Sequence, residues 1–405
     1  MNQHNNISTP FGSVMYIMAK PTGAICNLRC KYCYYIDKGR QDSRQLMSDA
    51  TLEEFIKQYI AAQTVEEVCF TWHGGEAMLR PISFYERAME LQRRYAGGRR
   101  ILNCLQTNGT LMTAQWCQFL KRNGWLVGIS IDGPREFHDE YRTGATGKPT
   151  FDSVMRSIRM LQRHGVEWNA MAVVNDYNVE YPLEFYRFFK ETGCRYIQFT
   201  PIVERRCPDG SLASVNDEGQ LTPESVTPQQ WGRFLCDIFD EWVKADVGEV
   251  YVQIFDATLA RWLDKEPGVC SMATYCGHAG VIEHNGDVYS CDHFVFDEYR
   301  LGNIHTHTIT EMMIDPQQLM FGAAKRGSLP GQCIRCRYSM ICNGECPKNR
   351  FIITSDGEPG LNYLCEGYKK YFDHVAPYME FMAKEYEAGR APANVMGWKP
   401  DKNAR

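Results

Sequence analysis

The chain has 405 residues, 44% hydrophobic and 23% charged, which is the composition of a folded globular protein too long for one small core. With 44 basic against 49 acidic side chains the net charge is only -5, so no field exists to hold a polyanion, and nucleic acid is excluded as a non-specific partner. No apolar run reaches the ~18 residues of a membrane span, and MNQHNNISTPFG lacks the basic and apolar parts of an export signal, so no membrane association and a cytoplasmic location are expected. Without export, 17 cysteines point to metal chemistry in a reducing compartment, and the odd count agrees.

Residues 1–12 are expected to be extended or disordered. SVMYIMAK (13–20) has the β-branched and aromatic content of a strand, and a loop carrying Cys26, Cys30 and Cys33 follows it directly. Thr51 and Glu54 form a capping box for a helix through TLEEFIKQYIAAQ, and EVCFTW (67–72) is a second strand. Helix and strand then alternate. Pro81 opens a helix through FYERAMELQRRY, RILNCLQT (100–107) is a third strand, and TAQWCQFLKRNG is a helix ending at Gly124. WLVGISID (125–132) and EWNAMAVV (167–174) make the fourth and fifth strands, separated by a helix ending at Gly165; YPLEFYRFFKETG and RYIQFTPI complete a sixth pair. Six βα repeats predict a parallel, barrel-like sheet wrapped by helices, two units short of a full barrel and open between its first and sixth strands.

Between Val203 and Val226 the polar, turn-rich segment reads as a long structureless loop of functional use. Thr227 and Pro228 start the next helix, Asn285-Gly286 marks a hairpin turn, and YKKYFDHVAPYMEFMAKEYEAG is helical.

Three cysteines in eight residues suit a soft metal centre wrapped by one loop. A four-iron cubane held by three thiolates keeps one iron open to a small molecule. The competing structural zinc site lacks a nearby fourth ligand. Downstream, Cys270, Cys276, Cys291, Cys333, Cys336, Cys342, Cys346 and Cys365 are enough to saturate two further four-iron clusters, with two zinc sites in a ribbon-like module as the alternative. Of the other six cysteines, Cys69, Cys104 and Cys194 lie on or beside strands as small buried hydrophobes, and Cys207 lies in the polar loop.

The first cysteine set resembles the signature of radical S-adenosylmethionine enzymes, and the second resembles the SPASM extension that carries auxiliary clusters. HGGE (73–76), QTNG (106–109), SIDGP (130–134), HDEYR (138–142), QFTPIVER (198–205) and CDHFV (291–295) extend the likeness to anaerobic sulfatase-maturating enzymes, from about residue 14 to the tail. The resemblance implies an α/β chain with a partial (β/α)6 barrel over 13–235, a connecting helical segment over 236–269, a SPASM domain with two auxiliary iron–sulfur clusters over 270–370, and a C-terminal helix and tail over 371–405. It implies S-adenosylmethionine and three 4Fe-4S clusters as cofactors. Tyr32, Gly74, Gly75, Glu76, Ser130, Arg142 and Val203 would contact S-adenosylmethionine, Ser130 through its hydroxyl and Arg142 through its charge. Asp292 would be the base and Tyr35 an active-site tyrosine. His73 departs from the family, where Gln is frequent. Without the resemblance, Asp292 after Cys291 would read as a turn cap, and His278, His293 and His305 as structural.

The activity implied is oxidation of a Cys or Ser in a sulfatase peptide to Cα-formylglycine by a 5′-deoxyadenosyl radical that takes hydrogen from Cβ. The implied partners are an unfolded or nascent sulfatase with a C/S-x-P/A-x-R motif and an electron donor such as flavodoxin or ferredoxin. Acidic residues of the loop from Glu204 to Glu224 would meet the motif's Arg. Two alternatives stand beside this: a SPASM-type enzyme forming thioether or carbon–carbon crosslinks, and a non-enzymatic iron–sulfur or zinc electron-transfer scaffold.

Overall fold

A computed structural model describes residues 15–36 and 46–400. The expectation for residues 1–12 lies outside them. In chain order the elements are β1 (Tyr16–Ala19), α1 (Asp49–Ala62), β2 (Glu67–Trp72), α2 (Ile82–Tyr95), β3 (Arg100–Thr107), α3 (Ala114–Arg122), β4 (Leu126–Ser130), α4 (Arg135–Tyr141), α5 (Phe151–His164), β5 (Trp168–Val174), α6 (Pro182–Glu191) and β6 (Tyr196–Pro201). They continue with β7 (Arg205–Arg206), β8 (Gln220–Leu221), α7 (Pro228–Ala245), β9 (Tyr251–Val252), α8 (Gln253–Trp262), β10 (Ala279–Ile282), β11 (Asp287–Tyr289) and β12 (Arg300–Asn303). The last helices are α9 (Ile309–Met313), α10 (Pro316–Gly327), α11 (Gly331–Ile334), α12 (Ser339–Cys342) and α13 (Cys365–Glu387). The architecture is the expected α/β fold with six βα repeats.

The chain divides into two compact units. The first comprises Met1–Ser130, Asp139–Trp168 and Tyr275–Ala324. In it β1 runs parallel to β2 and to β10, β2 to β3, and β3 to β4, while β10, β11 and β12 are antiparallel. Both edges of β1 are thus taken, by β2 and β10. The Asn285-Gly286 turn joins β10 to β11 with Gly286 at φ +89, a conformation that glycine adopts without a steric cost.

The strand alternation sets which residues reach the sheet's interior. Val68, Phe70 and Trp72 point outward, where Phe70 and Trp72 pack edge-to-face with Phe55 of α1 and Trp72 with Tyr85 of α2. Cys69 and Thr71 therefore take the opposite face, as do Cys104 and Gln106 of β3, and the Cys69 and Cys104 sulfurs are 3.7 Å apart. Both are half-buried, not the fully buried hydrophobes expected, whereas Cys194 is buried.

The second unit comprises Ile131–His138, Asn169–Thr274 and Lys325–Arg405. β5 pairs in parallel with β6, and β6 with β9. Thr227 and Gln230 form a complete capping box at α7 with Pro228 at the first turn, as expected. α7 runs through residues 235 and 236, where a domain boundary was expected, and α13 begins at Cys365, ahead of residue 371.

Two local expectations are corrected. α1 is capped by Ser48, whose hydroxyl accepts from Thr51 N–H, not by Thr51 itself. The segment 203–226 is ordered: β7 and β8 pair, and the buried Arg205 guanidinium donates to the carbonyls of Ser214, Val215 and Asp217. Cys207 lies there half-buried. Among the described residues no helix is long and apolar enough to cross a membrane.

Candidate active site

The three-cysteine loop leaves β1 and is gripped from two sides. Arg29 and Lys31 donate backbone N–H groups to the carbonyls of Thr143 and Tyr141. Opposite, Gly75 N–H donates to Gly23 O at 2.7 Å and Glu76 N–H to Ile25 O at 2.9 Å. A Cβ at Gly75 would lie 2.2 Å from Ile25 O, so no other residue fits without moving the loop. The chain's own backbone ahead of Cys26 thus makes a close approach at Gly75.

Glu76 is buried, and its carboxylate accepts from Met78 N–H, Thr107 Oγ1 and Asn108 N–H at 2.7–2.8 Å. It thereby supports the loop after β3. Burial raises its pKa against those three hydrogen bonds. From that loop Asn108 Nδ2 reaches to 3.7 Å from Cys26 Sγ, which also accepts Leu28 N–H at 3.3 Å.

Tyr32, Ser130 and Arg142 belong to the same unit. Arg142 donates to the Tyr32 hydroxyl at 2.7 Å, and Gln106 donates to the Ser130 hydroxyl at 3.0 Å. The Thr22 hydroxyl, fully buried beside Gly74, has no hydrogen-bond partner among the described residues. An orphaned buried hydroxyl costs about 1–3 kcal/mol unless a ligand meets it. Val203 lies in the second unit, where its carbonyl accepts from Lys348 Nζ at 2.6 Å.

By donor type, thiolates suit iron. Burial, and then Glu76 and Cys33, raise the Cys26 pKa, opposed by the Leu28 N–H and Arg142. In the second unit burial foremost raises the Cys333, Cys342 and Cys365 thiols, Cys342 up to about 12 and Cys365 to about 11, and neighbouring cysteines add to each. Thiols that repel one another in this way are deprotonated when cationic iron lies between them. Two buried cations face the backbone of this cysteine-rich region. Lys325 donates to the carbonyls of Cys270 and Ser271, and Arg350 to those of Lys325, Asn343, Gly344 and Glu345. They would offset the net negative charge of a thiolate-ligated cluster. Cys270 and Cys346 belong to the second unit, Cys276 and Cys291 to the first.

Asp292 opens a short 3-10 turn after Cys291, but its side chain does not cap that turn. One oxygen is ion-paired with Lys20 Nζ, and the other accepts from Tyr34 OH at 2.5 Å. Lys20 also lies 3.2 Å over the centre of the Tyr35 ring, and Tyr35 OH donates to Glu283. Tyr34, the neighbour of the expected tyrosine, therefore touches Asp292. Burial alone would raise the Asp292 pKa, but Lys20, His73 and His293 outweigh it and hold the carboxyl well below its usual range. His293 stacks near Tyr34, with ring centres 5.2 Å apart, and His305 bonds Thr51 Oγ1 at 3.1 Å.

His73 accepts the Gly74 N–H at Nδ1, 2.7 Å away, so its neutral ring carries the proton on Nε2. Burial and then Lys20 lower its pKa from 6.5 to about 4. Between those values the unfolded chain binds the proton that the folded one refuses, so stability rises with pH across the window and is lost as pH falls below 6.5. The size is up to roughly 3 kcal/mol. In paired thermal melts, His73→Gln should flatten the pH dependence over this interval; an unchanged slope would contradict the burial of a neutral imidazole.

Sequence reasoning missed Lys20, Tyr34 and the role of Gln106. A lysine closing an apolar strand was the available signal for Lys20. Nothing in YCYYID distinguishes Tyr34 from Tyr35.

The radical SAM superfamily model matches residues 21–189, and the SPASM iron–sulfur cluster-binding domain model matches 274–337. The serine-type anaerobic sulfatase-maturating enzyme of Bacteroides thetaiotaomicron is 61% identical over 395 residues, 96% of this chain and 95% of that protein. The chain belongs to the anaerobic sulfatase-maturating enzymes. The cysteine-type member of this family from Clostridium perfringens strain 13 is 33% identical over 89% of this chain and 96% of its own. The solved structure of native anSMEcpe with bound AdoMet and Cp18Cys peptide superposes with a TM-score of 0.81 at 31% identity, covering 91% of this chain and 99% of that one. As a member of this family the chain is a radical S-adenosylmethionine enzyme with an iron–sulfur SPASM domain.

Proposed function

We propose that the enzyme oxidises a serine or cysteine of a sulfatase polypeptide to Cα-formylglycine, with serine preferred. Similarity to a serine-type enzyme at 61% identity, against 33% for a cysteine-type one, supports the preference. The observation that carries the chemistry is the Asp292 carboxylate, ionised and held between Lys20 and Tyr34.

Cys26, Cys30 and Cys33 would hold a 4Fe-4S cluster with an open iron, and Cys270, Cys276, Cys291, Cys333, Cys336, Cys342, Cys346 and Cys365 two saturated ones. When bound, S-adenosylmethionine at the open cluster would supply the radical chemistry that removes hydrogen from the substrate Cβ, and the auxiliary clusters would supply a route for the remaining electron. The chain's own part is positional. Tyr32, Gly74, Gly75, Glu76, Ser130 and Arg142 would contact the cofactor, Arg142 supplying a charge for its carboxylate. Asp292 removes the hydroxyl or thiol proton. An alcohol is a very weak acid, but one whose carbon has lost a hydrogen atom is far stronger, so a carboxylate of low pKa suffices at that stage. The products balance as a two-electron, two-proton oxidation; a thioaldehyde from cysteine then needs water to become the aldehyde.

The substrate proposed is an unfolded or nascent segment with a C/S-x-P/A-x-R motif, and the reductant a flavodoxin or ferredoxin. Glu204 is held by Lys348 at 2.7 Å, which leaves Glu218 and Glu224 as the better candidates to meet the motif's Arg. Mass spectrometry after anaerobic incubation with reductant and S-adenosylmethionine tests the reading. A serine peptide should lose two hydrogens and gain carbonyl reactivity, faster than its cysteine counterpart is converted. A crosslinked product, or none, would reject it.

A further inference from the structure

We infer that Lys20 is a positioning residue for peptide oxidation, holding the Asp292 carboxylate and the Tyr35 ring in a single arrangement. The inference rests on the role proposed for Asp292.

Lys20 is 1% exposed at the end of β1. Its N–H donates to Ile282 O at 2.9 Å and its carbonyl accepts from Gly23 N–H at 3.0 Å, so the main chain is fixed between β10 and the cysteine loop. The side chain starts from a rigid base. Its ammonium is ion-paired with one Asp292 oxygen, the other oxygen takes the Tyr34 hydroxyl, and the same ammonium lies over Tyr35, whose hydroxyl is held by Glu283. Each partner of Asp292 thus fixes one oxygen, and rotation of the carboxylate about its own bond is blocked.

A packing role does not account for the charge. A methionine would fill the same stem volume, and burying a lysine costs free energy unless an anion and an aromatic face compensate it. Those two compensating groups are the residues whose positions the reaction depends on. Lys20 leads into the cysteine loop and also holds Asp292, so one residue links the loop expected to carry the cofactor to the group expected to take the proton.

Without Lys20, Asp292 keeps its place in the chain and its bond from Tyr34, but the oxygen that Lys20 held is released and the carboxylate loses its second anchor. Hydrogen removal from the peptide would then be completed less often by proton removal, and the cofactor would be consumed without product. The test uses the cluster-loaded enzyme and its Lys20→Met, Lys20→Arg, Asp292→Asn and Lys20→Met/Asp292→Asn variants. The first measurement is the ratio of formylglycine formed to 5′-deoxyadenosine released with a serine peptide; the second is the midpoint of thermal unfolding.

Lys20→Met is expected to lower the ratio by ~10–100-fold, the scale on which a supporting partner tunes the group it orients. Lys20→Arg should recover most of the loss. The double variant should melt above Lys20→Met, because the carboxylate left unpaired in the single variant is gone. If Asp292→Asn uncouples and Lys20→Met does not, the role of Lys20 is overturned while that of Asp292 survives. If neither changes the ratio, the assignment of Asp292 falls and this inference with it. Should Lys20→Met lose its iron, the neutral Lys20→Gln, which retains a donor, carries the same comparison. Additive melting effects would also overturn the pairing.

Discussion

Replacing Cys26 with alanine should abolish release of 5′-deoxyadenosine, to the level of a control without cofactor, while much of the bound iron remains. Cys26 is built firmly into its loop: Leu28 N–H at 3.3 Å and Asn108 at 3.7 Å both address its sulfur, and the loop is anchored to Gly75 and Glu76 on one side and to Tyr141 and Thr143 on the other. Loss of an outer partner of a metal site costs ~10–100-fold, and loss of a ligand itself exceeds that. Anaerobic iron and sulfide analysis beside the cleavage assay separates the outcomes. Iron should fall by the share of one cluster, since the eight downstream cysteines are untouched. Cleavage that survives in Cys26→Ala would displace the reaction centre from this loop.

Asp292→Asn should leave all clusters in place and lower peptide oxidation by about 10²-fold or more, the scale of a lost general base. A second effect follows from Lys20. The amide keeps the shape and can still accept from Tyr34, but it removes the counter-ion of a buried ammonium. Breaking a buried pair costs ~3–5 kcal/mol, and the partial exposure of Asp292 brings the expectation to about 2–3 kcal/mol. Denaturant unfolding of the two proteins measures it. Turnover at the parental rate would remove Asp292 from the proton transfer whatever the stability shows.

The two effects differ in how far the sequence revealed them. Cys26, Cys30 and Cys33 were legible because thiolates at that spacing have few uses, and the spacing itself brings them onto one loop. The six βα repeats were legible for a similar reason: strand and helix periods, helix caps and turn glycines act over a few residues, so β3 and α7 appear where the pattern predicted them. Segment 203–226 was misread because composition records polarity alone, whereas the order there comes from one buried guanidinium, Arg205, reaching carbonyls 9–12 residues away.

Glu76 and Gly75 show the limit more sharply. Their motif marks a cofactor region, yet whether a side chain faces a ligand or braces a neighbouring loop depends on what lies opposite, and those groups come from Ile25, Thr107 and Asn108. By itself the sequence determined the fold class, the family likeness and the cysteine sets, all of which depend on local periodicity and on spacing along the chain. Only the tertiary structure decided that Lys20 and Tyr34, more than 250 residues from Asp292, are its partners. Those pairings follow from β10 lying parallel to β1, a long-range registry that no local pattern encodes.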